Sequence, residues 1–204
     1  MSLPRFYQIV DDARWLERFL PLGLKLVQLR IKEQPEAELR AQIRDAIALC
    51  QAAGAALVIN DYWRIALDLG AEWIHLGQED LDEADLSAIR AGGLKLGIST
   101  HDGPELARAL AATPDYVALG PIYPTILKKM RFAPQGLERI GRWKDEIGAL
   151  PLVAIGGMTV ERASGAYAAG ADSICVVTDV LLRDDPEARL KEWLEAADST
   201  DAGE

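Results

Sequence analysis

The sequence predicts a single compact (β/α)8 barrel, the TIM-barrel architecture, and three observations carry that expectation. Short apolar runs alternate with helical segments eight times along the 204 residues. The runs are apolar on both faces, as the strands of a parallel sheet covered by helices are. Ala53-Gly54-Ala55, Leu69-Gly70-Ala71 and Ala169-Gly170-Ala171 each fall between a helix and the next strand, where glycine releases a helix through a left-handed cap. An open doubly wound sheet is the competing arrangement, but no G-x-G-x-x-G follows the first strand. Eight βα units in so short a chain lie at the compact end of the barrel range.

The elements follow in order. Residues 6–10 form the first strand, and Asp11-Asp12 signals a helix over 13–20. The second strand, 24–30, leads to a long helix over 36–53 with Gly54 as its cap. Leu57 to Leu81 reads as strand, helix and strand, with Asn60-Asp61 just past the first strand and Gly77-Gln78-Glu79-Asp80 just past the second. A helix over 83–91 ends at Gly92-Gly93. The fifth strand, 95–98, runs into Ser99-Thr100, and a helix over 104–112 stops before Pro114. The sixth strand, 116–119, precedes an irregular stretch from Gly120 to Pro134. A helix over 136–147, a strand over 152–155, a helix over 160–169 and a strand over 173–177 complete the eight units. A last helix spans 186–197. The expected domain is 1–198, with 199–204 an acidic, disordered tail.

Composition bounds the function. Half the residues are hydrophobic, enough for a buried core. A formal charge of −10 argues against a nucleic-acid or anionic-membrane surface, although local basic clusters can still hold a small anion. The two cysteines, Cys50 and Cys175, lie in apolar settings and read as core thiols, which fits a reducing cytoplasm. No leader and no apolar run near 18 residues is seen, so a cytoplasmic protein is expected. Trp15, Trp63, Trp143 and Trp193 suit either the core or a homo-oligomer interface, so the oligomeric state stays open.

In such a barrel, chemistry gathers at the C-terminal ends of the strands. Asp61 and Asp80 arrive there from adjacent strands and suit Mg²⁺ that also holds substrate phosphates. Asp61 also suits a helix cap, and Asp80 a turn. The two-residue strand period puts Gln28, Arg30 and Lys32 on one face, a binding site for phosphate or diphosphate. Gly97 and Ser99 offer bare backbone and a hydroxyl to an oxyanion. Thr125, Lys128, Lys129 and Arg131 lie in the long loop and can close over an anionic substrate. Gly156-Gly157 and Val177-Thr178, after the last two strands, match the phosphate site common in such barrels. The rim therefore presents two anion sites, one with metal ligands and one without. His75 reads as a satisfied core histidine, and His101 as either a rim residue or part of a helix start. No G-x-S-x-G, Cys–His pair or zinc-ligand spacing is present, so no protein nucleophile is expected.

The segments QLRIK (28–32), INDYW (59–63), HLGQEDL (75–81), LGIST (96–100), ALGPIYPT (118–125), APQGLE (133–138) and VAIGG (153–157) together resemble the thiamine phosphate synthase family. Each motif is weak alone, but the ordered set covers the chain from about Arg5 to the last helix. The resemblance implies a transferase joining an aminopyrimidine methyl diphosphate to a thiazole phosphate with release of pyrophosphate. By the same resemblance Gln28, Arg30, Lys32, Asn60, Ser99 and Lys128 contact the pyrimidine diphosphate. Of these, Arg30, Lys32, Ser99 and Lys128 are the catalytic candidates. Asp61 and Asp80 are the implied Mg²⁺ ligands, and Thr125, Gly157, Val177 and Thr178 the implied thiazole phosphate contacts. The implied chemistry is dissociative, with diphosphate leaving before the thiazole nitrogen attacks, which agrees with the missing nucleophile. One position departs: Leu127 stands where the family carries a hydroxyl residue, a loss worth about 1.5–3 kcal/mol if uncompensated. Two other readings share the architecture, a thiazole tautomerase and a non-catalytic phosphate-binding relative. The Asp61–Asp80 pair and the basic face speak against the tautomerase, as does Pro121 after Gly120. Leu127 alone supports the non-catalytic relative.

Overall fold

The computed structural model describes residues 3–125 and 132–201. Its first half contains β1 (Phe6–Val10), α1 (Arg14–Phe19), β2 (Leu26–Leu29), α2 (Glu36–Ala53), β3 (Ala56–Asn60), α3 (Trp63–Asp68) and β4 (Trp73–Leu76). Two short helices follow, α4 (Gln78–Glu83) and α5 (Leu86–Ala91), then β5 (Lys95–Thr100), α6 (Gly103–Ala111) and β6 (Tyr116–Leu119). After the long loop come α7 (Gly136–Ile147), β7 (Leu152–Ile155), α8 (Val160–Ala168), β8 (Ser173–Val176), α9 (Thr178–Leu181) and α10 (Pro186–Asp201). The eight strands pair in parallel in sequence order, and β1 closes on β8 with Phe6 opposite Ile174 and Gln8 opposite Val176. The expected barrel is the one found.

Strand alternation divides the apolar residues into two clusters. Inward-facing Tyr7, Ile9, Leu26, Val58, Trp73, Tyr116, Val153 and Cys175 fill the barrel interior. Their neighbours along the strands, including Phe6, Val10, Leu29, Ile59, Ile74, Ile98, Leu119 and Ile174, pack outward against the helices. Both faces of each strand are thus covered, which explains their unbroken hydrophobicity. Cys175 belongs to the interior and Cys50 to the outer layer, and both thiols are free. Trp143 and Trp193 are core residues, while Trp15 and Trp63 are half-buried. Trp193 stacks on Phe6 with ring centroids 5.3 Å apart, and so seats α10 on β1.

Local chemistry sets several boundaries that the sequence pattern misplaces. The helix expected over 83–91 begins at Leu86, and a separate unexpected helix, α4 (Gln78–Glu83), precedes it. Gly77, extended at φ −73°, ψ 172°, opens α4 directly after β4, with Glu79 and Asp80 in its first turn at the favourable end of the helix dipole. Asp85 then restarts the chain as a helix cap by accepting from the Ser87 and Ala88 amides. Asp80 therefore sits in a helical first turn, not in a free turn. β2 ends at Leu29 rather than Arg30, and β8 at Val176 rather than Val177, because α9 begins at Thr178. α10 continues through Asp201, so residues 199–201 are helical instead of a disordered tail. No helix among the described residues is long and apolar enough to cross a membrane.

Candidate active site

The mouth of the barrel gathers the candidates from β2, β3, β4 and β5 on one side. Asn60 ends β3, and Asp61 follows with φ at +65°, a left-handed conformation held by its amide bond to the His75 carbonyl at 2.9 Å. Tyr62 occupies the cap position of α3 with no side-chain cap bond, so Asp61 is not spent on capping. Instead its carboxyl lies within electrostatic reach of that of Asp80. Gly77 accommodates this geometry, because a Cβ there would lie 2.9 Å from Asp80 Oδ2. Burial first, and then the Asp80 charge, push the Asp61 carboxyl up to about 6, against the opposing pull of Lys32 and Arg30. The two cations thus lie within electrostatic reach of the carboxylate pair. A cleft of about 410 Å³ opens beside it, lined by Asp61, Tyr62, Trp63, Asp80 and Arg40 among others.

Gln28 behaves differently from its two basic neighbours. It is buried inside the barrel, 2% exposed, and donates from Nε2 to the Tyr7 hydroxyl at 2.8 Å. Arg30 is half-buried and Lys32 exposed, so the basic face rises toward solvent along the chain. Asn60 is buried and its Nδ2 has no partner, an open donor beside the carboxylate pair. Ser99 is half-buried at the end of β5. His75 Nε2 lies 2.8 Å from its hydroxyl, and Gln78 Nε2 donates to its carbonyl at 2.7 Å. Gly97 does not present bare backbone to an oxyanion. The Tyr116 ring occupies its missing side chain's place, and a Cβ there would lie 2.0 Å from the ring.

On the opposite side, Gly156 and Gly157 follow β7 with φ at +93° and +64°. The start of the long loop lies across them: Ile122 N–H donates to the Ile155 carbonyl at 2.9 Å and Tyr123 N–H to the Gly156 carbonyl at 3.0 Å. A Cβ on Gly157 would come 2.5 Å from the Pro124 carbonyl oxygen. These glycines are therefore required by the loop as well as suited to an anion. Thr125 is half-buried where the described loop ends. Lys128, Leu127, Lys129 and Arg131 lie outside the described residues. Val177 and Thr178 open α9, where the Val180 and Leu181 amides donate to the Val177 carbonyl at 3.3 and 3.0 Å. The sequence reading missed what fixes this turn. Asp179, 5% exposed, accepts from Arg183, from Arg189 Nε at 2.9 Å and from Trp193 Nε1 at 2.9 Å.

His75 is a satisfied core histidine, between Ser99 and the Tyr116 hydroxyl, 2.8 Å from Nδ1. His101 Nδ1 pairs with Glu105 at 2.6 Å, and its ring stacks on Phe132 at 4.7 Å.

The structure is thus a closed parallel barrel with cations and a carboxylate pair at one side of its mouth and two left-handed glycines at the other. The family model described as thiamine monophosphate synthase matches residues 7–180. A thiamine-phosphate synthase of Rhizobium etli is 62% identical over 96% of both chains. That of Citrobacter koseri is 47% identical over 93% of this chain and 87% of its own. A solved thiamine phosphate pyrophosphorylase from Pyrococcus furiosus superposes with a TM-score of 0.85 at 25% identity, covering 96% of each chain. The chain belongs to the thiamine monophosphate synthase family, a family of transferases.

Proposed function

We propose that the protein joins an aminopyrimidine methyl diphosphate to a thiazole phosphate, giving thiamine phosphate and pyrophosphate. The observation that carries this reading is the Asp61–Asp80 pair within reach of Arg30 and Lys32. Two carboxylates brought this close are a site that a divalent cation can take over. Among the described residues no third acidic, histidine or cysteine side chain joins them as a cage. That donor set fits Mg²⁺, which commonly takes one or two carboxylates and completes its shell with water and phosphate oxygens. Mg²⁺ bound there supplies charge neutralisation for a departing diphosphate.

The chain's own residues do the rest. Arg30 and Lys32 bind the diphosphate and stabilise the negative charge that grows as its bond to the pyrimidine methylene breaks. Lys128 belongs to the same set by family likeness. Ser99 donates to the same anion, and Asn60 and Gln28 fix the pyrimidine end. The methylene carbon is left electron-poor, and the thiazole nitrogen supplies the pair that forms the new C–N bond. Gly157, Val177 and Thr178, with Thr125, hold the thiazole phosphate and so align that nitrogen. No side chain needs to act as nucleophile, which agrees with the neutral, hydrogen-bonded state of the buried His75. Two buried free thiols and a net charge of −10 favour a cytoplasmic enzyme acting on small molecules.

The test is direct. Purified protein, both substrates and Mg²⁺ are mixed, and thiamine phosphate is followed by fluorescence after oxidation, with Asp61→Ala and metal-free samples as controls. Metal-dependent product that disappears in the variant is expected. Folded protein that forms none overturns the proposal.

A further inference from the structure

Five side chains from five strands form one chain of hydrogen bonds through the barrel interior. Gln28 of β2 donates from Nε2 to the Tyr7 hydroxyl of β1 at 2.8 Å. The Tyr7 and Tyr116 hydroxyls lie 3.0 Å apart, joining β1 to β6 across the barrel. The Tyr116 hydroxyl is 2.8 Å from Nδ1 of His75 on β4, and His75 Nε2 is 2.8 Å from Ser99 Oγ on β5. Both ends are candidate substrate contacts. The three residues between them are not.

The heavy atoms fix the direction of this chain. An amide nitrogen can only donate, so the Tyr7 oxygen accepts from Gln28 and its own hydrogen goes to Tyr116. Tyr116 then donates to His75 Nδ1, which leaves the neutral imidazole protonated on Nε2. That hydrogen goes to Ser99 Oγ, and the serine's own hydrogen is left to point elsewhere, at the mouth end of β5. Run in reverse, the Tyr7 oxygen would receive two hydrogens while its own had no acceptor in the chain. Burial keeps every member uncharged: His75 is held down at about 4, and both tyrosine hydroxyls are raised. A second observation shows that the chain is built in. Gly97 has no side chain where the Tyr116 ring lies.

We infer that Tyr7, Tyr116 and His75 are positioning residues, a one-way hydrogen-bond chain anchored on Gln28 that makes Ser99 a committed donor to the anionic substrate at the barrel mouth. The identity of that anion rests on the proposed function, but the direction of the chain does not.

Two measurements separate the parts. Nitrogen-15 spectra of the histidine side chains, with His101→Gln to assign them, report the His75 tautomer without any substrate. Nε2 protonated and Nδ1 bare is expected, with mixed tautomers in Tyr116→Phe. Nδ1 protonated in the unaltered protein overturns the inference whether or not thiamine phosphate is formed. Kinetics then test the purpose. Tyr116→Phe keeps the ring beside Gly97 and should lower kcat on the order of tenfold to a hundredfold, as loosened positioning does, with KM for the thiazole phosphate unchanged. Tyr7→Phe leaves Tyr116 still donating to His75 and should cost less. In a Ser99→Ala background, Tyr116→Phe should have almost no further effect, since the donor it orients is gone. The same fold-loss in both backgrounds would mean a merely structural tyrosine, and the inference would fail.

Discussion

Asp61, in a left-handed conformation just past β3, lies close enough to Asp80 in the first turn of α4 that the Asp80 charge raises its carboxyl. Burial and the neighbouring Asp80 charge favour the protonated Asp61 carboxyl, and a cation must displace that proton. Asp61 titrates at about 6 in the folded protein, so Mg²⁺ affinity should rise with pH up to that region and then level off, with a proton released on binding below it. Calorimetry in buffers of different ionisation heat checks this. Affinity that stays flat between about pH 5 and 6.5 contradicts it.

The same raised carboxyl has a consequence for the metal-free protein. Its pKa moves from 3.8 unfolded to about 6 folded, so the stability it contributes is present below 3.8 and lost as pH rises through 6. Asp61→Asn should abolish that loss, measured as the urea midpoint without metal at pH 4.5 and pH 7 in variant and parent.

His75 works in the opposite sense. Desolvation lowers its pKa from 6.5 to about 4, so its contribution is complete above 6.5 and drains away as pH falls toward 4. The full excursion is worth about 3 kcal/mol. Because Asp61 compensates over part of the same range, the cleanest comparison is Asp61→Asn with and without His75→Gln. The variant with glutamine should show the flatter pH profile of unfolding.

Gly97→Ala would drive a methyl group into the Tyr116 ring, 2.0 Å away. A loss of about 1–3 kcal/mol or more is expected from overpacking. The loss should shrink in a Tyr116→Ala background, where the collision is removed. Thermal unfolding of the four proteins in the cycle decides it, and equal losses in both backgrounds would exclude the contact as the cause.

Asp179→Ala should cost about 3–5 kcal/mol, the usual result of stripping one partner from a buried ion pair, because Arg189 is only 11% exposed in side chain. Since Asp179 holds the first turn of α9, the variant should also raise KM for the thiazole phosphate more than for the pyrimidine substrate. An unchanged KM would detach Asp179 from that site.

The barrel is legible in the sequence because each strand is apolar on both faces and each glycine break falls at a helix end. The carboxylate pair is legible for a similar reason: Asp61 and Asp80 follow apolar runs that can only be adjacent parallel strands. What escapes is whatever depends on register across the barrel. Tyr7 and Tyr116 look like ordinary core aromatics, and His75 like an isolated histidine, until closure brings residues 7, 28, 75, 99 and 116 together. Gly97 is misread for the same reason, because its neighbour is 19 residues away in sequence, counting 116 − 97. The α4 start was missed because Gly77 reads as a breaker when it is an extended helix cap. The long loop's cations and Leu127 lie outside the described residues.

The pairing of Phe6 with Ile174 has a meaning for how the chain is made. β1 leaves the ribosome well before β8, the neighbour that covers its edge. Until β8 emerges, that edge offers unpaired amides and carbonyls to any passing strand. A chain stalled before residue 173 cannot hide it, and should be a substrate for chaperones rather than a partly folded enzyme. Ring closure thus makes translation nearly all-or-none for this protein.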